Sequence, residues 1–316
     1  MPRPLPLLPH SHTVRMDASA LMGPLLDIEP DHFAAPAALK AAILESDVPY
    51  YCLCPPDAEG LAWEALELLL VGAARDWPQF FALDRAASMW TWTHELFGET
   101  TCFRPGEGGT LPLPPLEWLG RQFQEDLVLM AAGDGGEPVC AAGTLCFGSG
   151  WCLGDKIGKP FLAAHAEVPG FEGLAGRASD LLLRRLKPCR PVARWNWTLP
   201  ATGRLNLAPA LASEWGGAGG IVTPENAGDR CFLRAERQTL SRLPRTGGIL
   251  FMIHTYLTPL SQAAADPRDR RALLAHVHSL PPAMIAYRGM TEYADALMDY
   301  LEQKKEQKKE QKEQNR

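Results

Sequence analysis

The sequence predicts an α+β fold, with an antiparallel sheet of about five strands, helices on one face of it, and additional N- and C-terminal helices on either side. Three observations lead there. Apolar residues recur at three- and four-residue spacing before about residue 100 and after Pro259, short strand-like runs fill the middle, and between 116 and 260 the order is strand, strand, helices, strand, strand, strand. Hairpins close such strands with short turns, while the intervening helices cross one face of the sheet.

Residues 1–115 read as mainly helical. "AAPAALKAAILES", "EGLAWEALELLLVGAARD" and "ALDRAASMWTWTHELFG" carry the helical spacing, and Trp63, Leu66, Leu70 and Ala73 form one stripe. The Gly- and Pro-rich "RPGEGGTLPLPP", residues 104–115, marks the boundary. The central region, 116–260, begins with a helix-like "LEWLGRQFQ". Strands "EDLVLMAAG" and "PVCAAGTLCFG" follow, joined by the turn "DGGE". Short helices come next in "KPFLAAHA" and "RASDLLLRRLK", the second ended by Pro188. Strands "PVARWNWTL", "CFLRAERQTLSRL" and "GGILFMIHTYL" complete the sheet, with "RTGG" as the last hairpin turn. A long insertion at 200–229 has the length of a functional lid. Residues 261–301 return to helix, and 302–316 form a charged repeat that cannot bury a core and reads as disordered.

Composition narrows the function. A formal net charge of -6 argues against a nucleic-acid surface, which needs concentrated Lys and Arg. No window reaches the roughly 18 unbroken apolar residues of a membrane span, and four prolines interrupt the N-terminal "MPRPLPLLPHSHTVRMD", so a cytoplasmic protein is expected. The eight cysteines lack zinc-site and iron–sulfur spacing and read as buried thiols. "FGSGW" is not a hydrolase elbow, and "GGAGG" precedes no P-loop lysine.

The residues that carry chemistry lie in the central region. In "GDKIGKPFLAAHAEVPG", Pro160 starts a short helix with Phe161 and His165 four apart on one face, and Pro169 prevents its continuation. A histidine at that apolar end is either a core residue bonded to a backbone carbonyl or an axial ligand. Lys156 and Lys159 beside it are either solvated or placed to neutralise an acidic cofactor. In "PVARWNWTL", Trp195 and Trp197 alternate with Arg194 and Asn196, so the indoles wall a planar ligand or simply pack a core. Arg237 lies on a mostly apolar strand face and needs an anion, internal or bound, and Thr255 is a polar spot on the core face of the last strand.

Taken together, "QEDLVLM", "GSGWCLGDKIGKPFLAAHAEVPGF", "RWNWTL" and "RAERQTLSRLPRTGGILFMIHTYLTPL" resemble the haem-binding alpha subunit of the haem-dependent oxidative N-demethylase family, with weaker similarity in the late "AYRGM". The resemblance implies a PAS-like haem domain at 116–260, b-type haem, O2 chemistry on a small secondary amine, and electrons from a separate flavin and iron–sulfur reductase. It places the axial histidine in the short helix before the third strand, at His165. Asn196, Arg237 and Thr255 become polar candidates for holding O2 or substrate, Lys156, Lys159 and Arg242 partners for the haem propionates, and Trp197 a wall of the pocket. The alternatives are a haem-based gas or redox sensor without turnover, and a haem monooxygenase acting on a larger metabolite.

Overall fold

The computed structural model describes residues 17–86 and 88–302, so the charged tail from residue 303 onward lies outside the described residues. The N-terminal region holds β1 (Ser19–Ala20), α1 (Pro30–Ser46), α2 (Val48–Tyr51), β2 (Cys52–Leu53), α3 (Glu59–Asp76), β3 (Phe81–Ala86), β4 (Met89–His94) and β5 (Glu99–Phe103). The centre runs α4 (Pro115–Gln122), β6 (Asp126–Ala132), β7 (Pro138–Thr144), α5 (Phe161–Ala164), α6 (Leu174–Arg185), β8 (Val192–Thr198), α7 (Ala212–Trp215), α8 (Ala227–Arg230), β9 (Phe232–Arg242) and β10 (Ile249–Pro259). Helices α9 (Leu260–Ala263), α10 (Pro267–His278), α11 (Pro282–Tyr287) and α12 at 294–302 follow. Among the described residues, no helix is long and apolar enough to cross a membrane.

The five expected strands form as expected, but the sheet has seven, in the order β1-β8-β9-β10-β6-β7-β2, all pairs antiparallel. The two extra strands are two-residue edges contributed by the N-terminal region. Too short to show any periodicity, they exist because the sheet offers them an unpaired edge.

A second correction concerns "ALDRAASMWTWTHELFG", which is not a helix. β3, β4 and β5 make a separate three-stranded sheet. Its alternation is explicit in Trp90, Thr91, Trp92, Thr93 and His94, where β-branched and aromatic residues favour a pleated surface. Trp92 and His94 turn inward to meet Phe81 and Phe33, with the Phe81 and Trp92 rings stacked at 5.3 Å.

Helices also cover both faces of the large sheet rather than one. Leu127, Leu129, Leu250 and Met252 point into the core built by α1, α3 and α4. Met130, Leu240 and Ile249 point the other way, with Phe161 of α5 and Leu183 of α6 packed against them. The N-terminal region therefore serves as the second layer of the sheet, which explains its apolar stripes.

Buried charges tie the layers together. Lys40 of α1 lies 3.6 Å from Asp126, both side chains fully buried, and it donates to the Phe123 and Glu125 carbonyls. Asp126 accepts from the Cys146 and Phe147 amides at 2.8 and 2.7 Å and so fixes the exit of β7. Burial pushes the Asp126 carboxyl above its ordinary value, while Lys40, both amides and Arg234 pull against it. The insertion at 200–229 is pinned rather than free along 205–210: Asn206 Nδ2 donates to the Tyr51 hydroxyl, Arg234 to the Leu205 carbonyl, and the Ala210 amide to the Tyr50 hydroxyl.

Candidate functional site

The segment at 154–170 folds around His165. Pro160 is extended just before α5 and bridges to Val139, and α5 itself is a single turn, with His165 as its C-terminal cap. His165 Nδ1 lies 2.8 Å from the Phe161 carbonyl oxygen, so Nδ1 carries the hydrogen. Nε2 is then the nitrogen with a lone pair to offer, and it has no hydrogen-bond partner among the described residues. The ring packs between Phe161, at 4.4 Å, and Phe171, stacked at 4.9 Å. Burial holds the imidazole below its usual pKa, the Phe161 carbonyl opposes this, and the Lys156 and Arg194 charges push the same way as burial. A neutral imidazole is the form that ligates a metal.

Across from α5 lies the face of the sheet that carries Leu240, Ile249 and Phe251. Registers β8–β9 and β9–β10 place Asn196, Glu236 and Thr255 side by side on that face, flanked by Arg194, Gln238 and Arg234. The centre of this group is Glu236. Its Oε2 accepts from Gln238 Nε2 at 2.9 Å and Asn196 Nδ2 at 3.2 Å, and its Oε1 faces Arg234 Nε at 3.4 Å. Arg234 is fully buried, donates to the Phe147 carbonyl, and reaches Thr255 Oγ1 at 3.4 Å. Burial lowers the Arg194 guanidinium's pKa, and the Glu236 and Asp17 carboxylates oppose that. Tyr287, in the late "AYRGM" block, belongs to the same neighbourhood: burial raises its phenol, and the Glu167 and Glu236 carboxylates raise it further.

The structure thus brings together His165, Asn196 and Thr255 on one side of the sheet, and it places other expected residues elsewhere. Arg237 points to the opposite face, where Nη1 and Nη2 donate to the Leu25 and Pro24 carbonyls at 2.8 and 2.7 Å. These bonds to neutral carbonyls strap the N-terminal segment onto the sheet. The same strap is held by the Asp27 amide on Glu125 Oε1 and by the Tyr256 hydroxyl on Asp27. Trp197 packs on His276 at 4.2 Å in the C-terminal helical core, so it does not lie on the His165 side of the sheet. Arg242 spends its guanidinium on the Leu183, Arg184, Leu186 and Gly247 carbonyls, capping α6. Lys156 Nζ donates to the Ala164 carbonyl at 2.7 Å beside His165, and Lys159 is exposed.

Glu236, Arg194, Gln238 and Tyr287 were missed by sequence reasoning. Strand alternation already put Arg234, Glu236 and Gln238 on one face. All eight cysteines are free as expected, but only Cys140, Cys146 and Cys231 are buried and Cys102 and Cys189 are exposed; burial pushes Cys140 to about 11 and Cys231 to about 12, leaving neutral thiols.

A haem requires a neutral imidazole with one nitrogen available, an apolar slot, and a cation near its carboxylates. His165 with Nδ1 bonded to Phe161 offers the imidazole, the half-buried Phe161, Val192 and Phe251 offer apolar surface on the same side of the sheet, and Arg194 offers a cation, so the residue types fit a haem. Comparison with known protein families agrees with that fit, because residues 20–298 match the model described as "Haem-dependent oxidative N-demethylase, alpha subunit-like". The match spans nearly the whole described chain, both faces of the sheet included, and the chain belongs to that family.

Proposed function

We propose that this protein is a haem-dependent oxidase that uses O2 to remove a methyl group from a small secondary amine. His165 Nε2 holds a b-type haem, and a separate flavin and iron–sulfur reductase supplies electrons. The observation that carries the reading is His165, its Nε2 left available by the Nδ1 bond to the Phe161 carbonyl, on the same side of the sheet as a hydrogen-bonded carboxylate, Glu236. Support for a PAS-like fold comes from the five inner antiparallel strands and from the position of α5, between the second and third of them.

Bound haem supplies the dioxygen chemistry, and the chain's own residues manage the amine. The Glu236 carboxylate attracts the substrate ammonium and takes its proton. Asn196 and Gln238 hold the carboxylate in place, and Arg234, locked to the Phe147 carbonyl, keeps its second oxygen from turning. Thr255 positions Arg234. Arg194 is, with Lys156, one of the two cations whose charge acts on the His165 ring, and it would pair with a propionate. Over the reaction, R–NH–CH3, O2, two electrons and two protons give R–NH2, formaldehyde and water, with water hydrolysing the iminium formed when the amine is oxidised.

The test is direct. Protein loaded with haem is expected to show a Soret band, and with dimethylamine and a reductant to release one formaldehyde per O2 consumed. A folded protein that takes up no haem overturns the reading; haem binding without amine-dependent O2 consumption reduces it to a sensor.

A further inference from the structure

The outer face of α6 is built the wrong way round for a surface helix. Its inward side carries Ala175, Gly176, Ser179 and Leu183, all buried, and Gly176 lies so close to the Phe171 carbonyl that a Cβ would collide with it. Its larger N-terminal apolar residues point outward. Leu174 is 81% exposed and Leu181 46%, and with the exposed Ala178 they fall at i, i+4 and i+7, one stripe of a helix. Leu162 of α5, the helix packed beside it, is 42% exposed as well.

The patch is framed by positive charge in an acidic chain. Between 172 and 190 there are five cationic residues (Arg177, Arg184, Arg185, Lys187 and Arg190) against Glu172 and Asp180. Arg184 pairs with Asp180, whereas Arg177, Arg185 and Lys187 are exposed and have no ion-pair partner among the described residues. An apolar centre with an uncompensated cationic rim is the composition of an interface, and it steers an acidic partner. The place matters as well. Phe171 stacks on His165 and packs against Gly176, so one helix thickness, about 10 Å, separates this surface from the imidazole.

The geometry points to the outer face of α5 and α6 as the docking site of an acidic electron-carrier protein, which would approach from the side of the sheet that carries His165. The choice of an electron carrier rests on the haem reading above; the choice of an acidic protein rests on the rim charges alone.

Plant-type ferredoxin, a small acidic carrier, is the probe. Calorimetric titration into the haem-free chain is expected to show binding that weakens at least 10-fold between 20 and 200 mM salt, about the loss expected for several screened ion pairs. The same weakening is expected in Leu174→Ser/Leu181→Ser and in Arg177→Glu/Arg185→Glu. With haem-loaded protein under carbon monoxide, ferredoxin-driven reduction is expected to slow in both variants, while dithionite reduction and the Soret band stay unchanged. No binding by the wild type, or binding indifferent to both variants, overturns the assignment. A wild-type dimer dissolved by the leucine variant overturns it too, assigning the patch to a second copy of the chain. Absence of a Soret band strikes the haem reading instead, and the titration on the haem-free chain still decides the docking surface.

Discussion

His165 and Glu236 lie on the same side of the large sheet, and each is oriented by other bonds. With His165→Ala, the fold is expected to survive, since the ring's one hydrogen bond goes to a carbonyl of its own turn. The Soret band is expected to vanish or shift strongly, which absorption spectroscopy reads. Glu236→Gln removes the charge but keeps the shape. For a cationic amine, loss of a charge-assisted contact of about 1.5–3 kcal/mol predicts a KM raised about 10- to 100-fold, with the haem spectrum intact, measured by O2 consumption against amine concentration. Arg237→Ala separates two roles. Because its donors serve Pro24 and Leu25, the variant is expected to keep haem and turnover and to lose about 1–3 kcal/mol of stability in urea unfolding. A normal unfolding midpoint with slow turnover would return Arg237 to the site.

At the scale of elements, α6 braces the turn that carries His165. Arg242 caps its end, and Gly176 lets it press on Phe171, which in turn stacks on His165. Gly176→Ala puts a methyl where the Phe171 carbonyl stands, so about 1–3 kcal/mol of overpacking is expected, together with a changed Soret position as Phe171 shifts against the imidazole. Unfolding curves and spectra of the same sample check both. The central strands were legible in the sequence because alternation and turn chemistry are local. β4 was not, since its short alternation lies in a stretch where Leu83, Ala86, Trp90 and Phe97 also recur at i, i+3, i+7 and i+14, and only pairing with β3 and β5 decides between the two.

Over the whole molecule, buried charge couples the N-terminal layer to the sheet. Lys40→Met strands Asp126 in the core without its cation, and a loss of about 3–5 kcal/mol is expected, seen as a large drop in the urea midpoint. Stability should also fall in mild acid. Burial depresses the pKa values of both His94 and His165, so below about 6.5 the unfolded chain binds protons that the native chain refuses. Stability is therefore complete above that pH and declines as pH falls toward the depressed native values. Thermal unfolding between pH 8 and 5 checks the sign.

By itself the sequence determined the five inner strands, the short helix that stops at His165, and the family, because each rests on spacing and turn residues within a few positions of one another. Only the tertiary structure decided which side of the sheet each strand's charge would face and what it would meet there. Arg237 and Glu236 are neighbours in the chain; alternation sends one to a backbone strap and the other to the His165 side of the sheet. Which of those faces holds the histidine depends on where α5 packs, and that is settled by long-range contacts no short window contains.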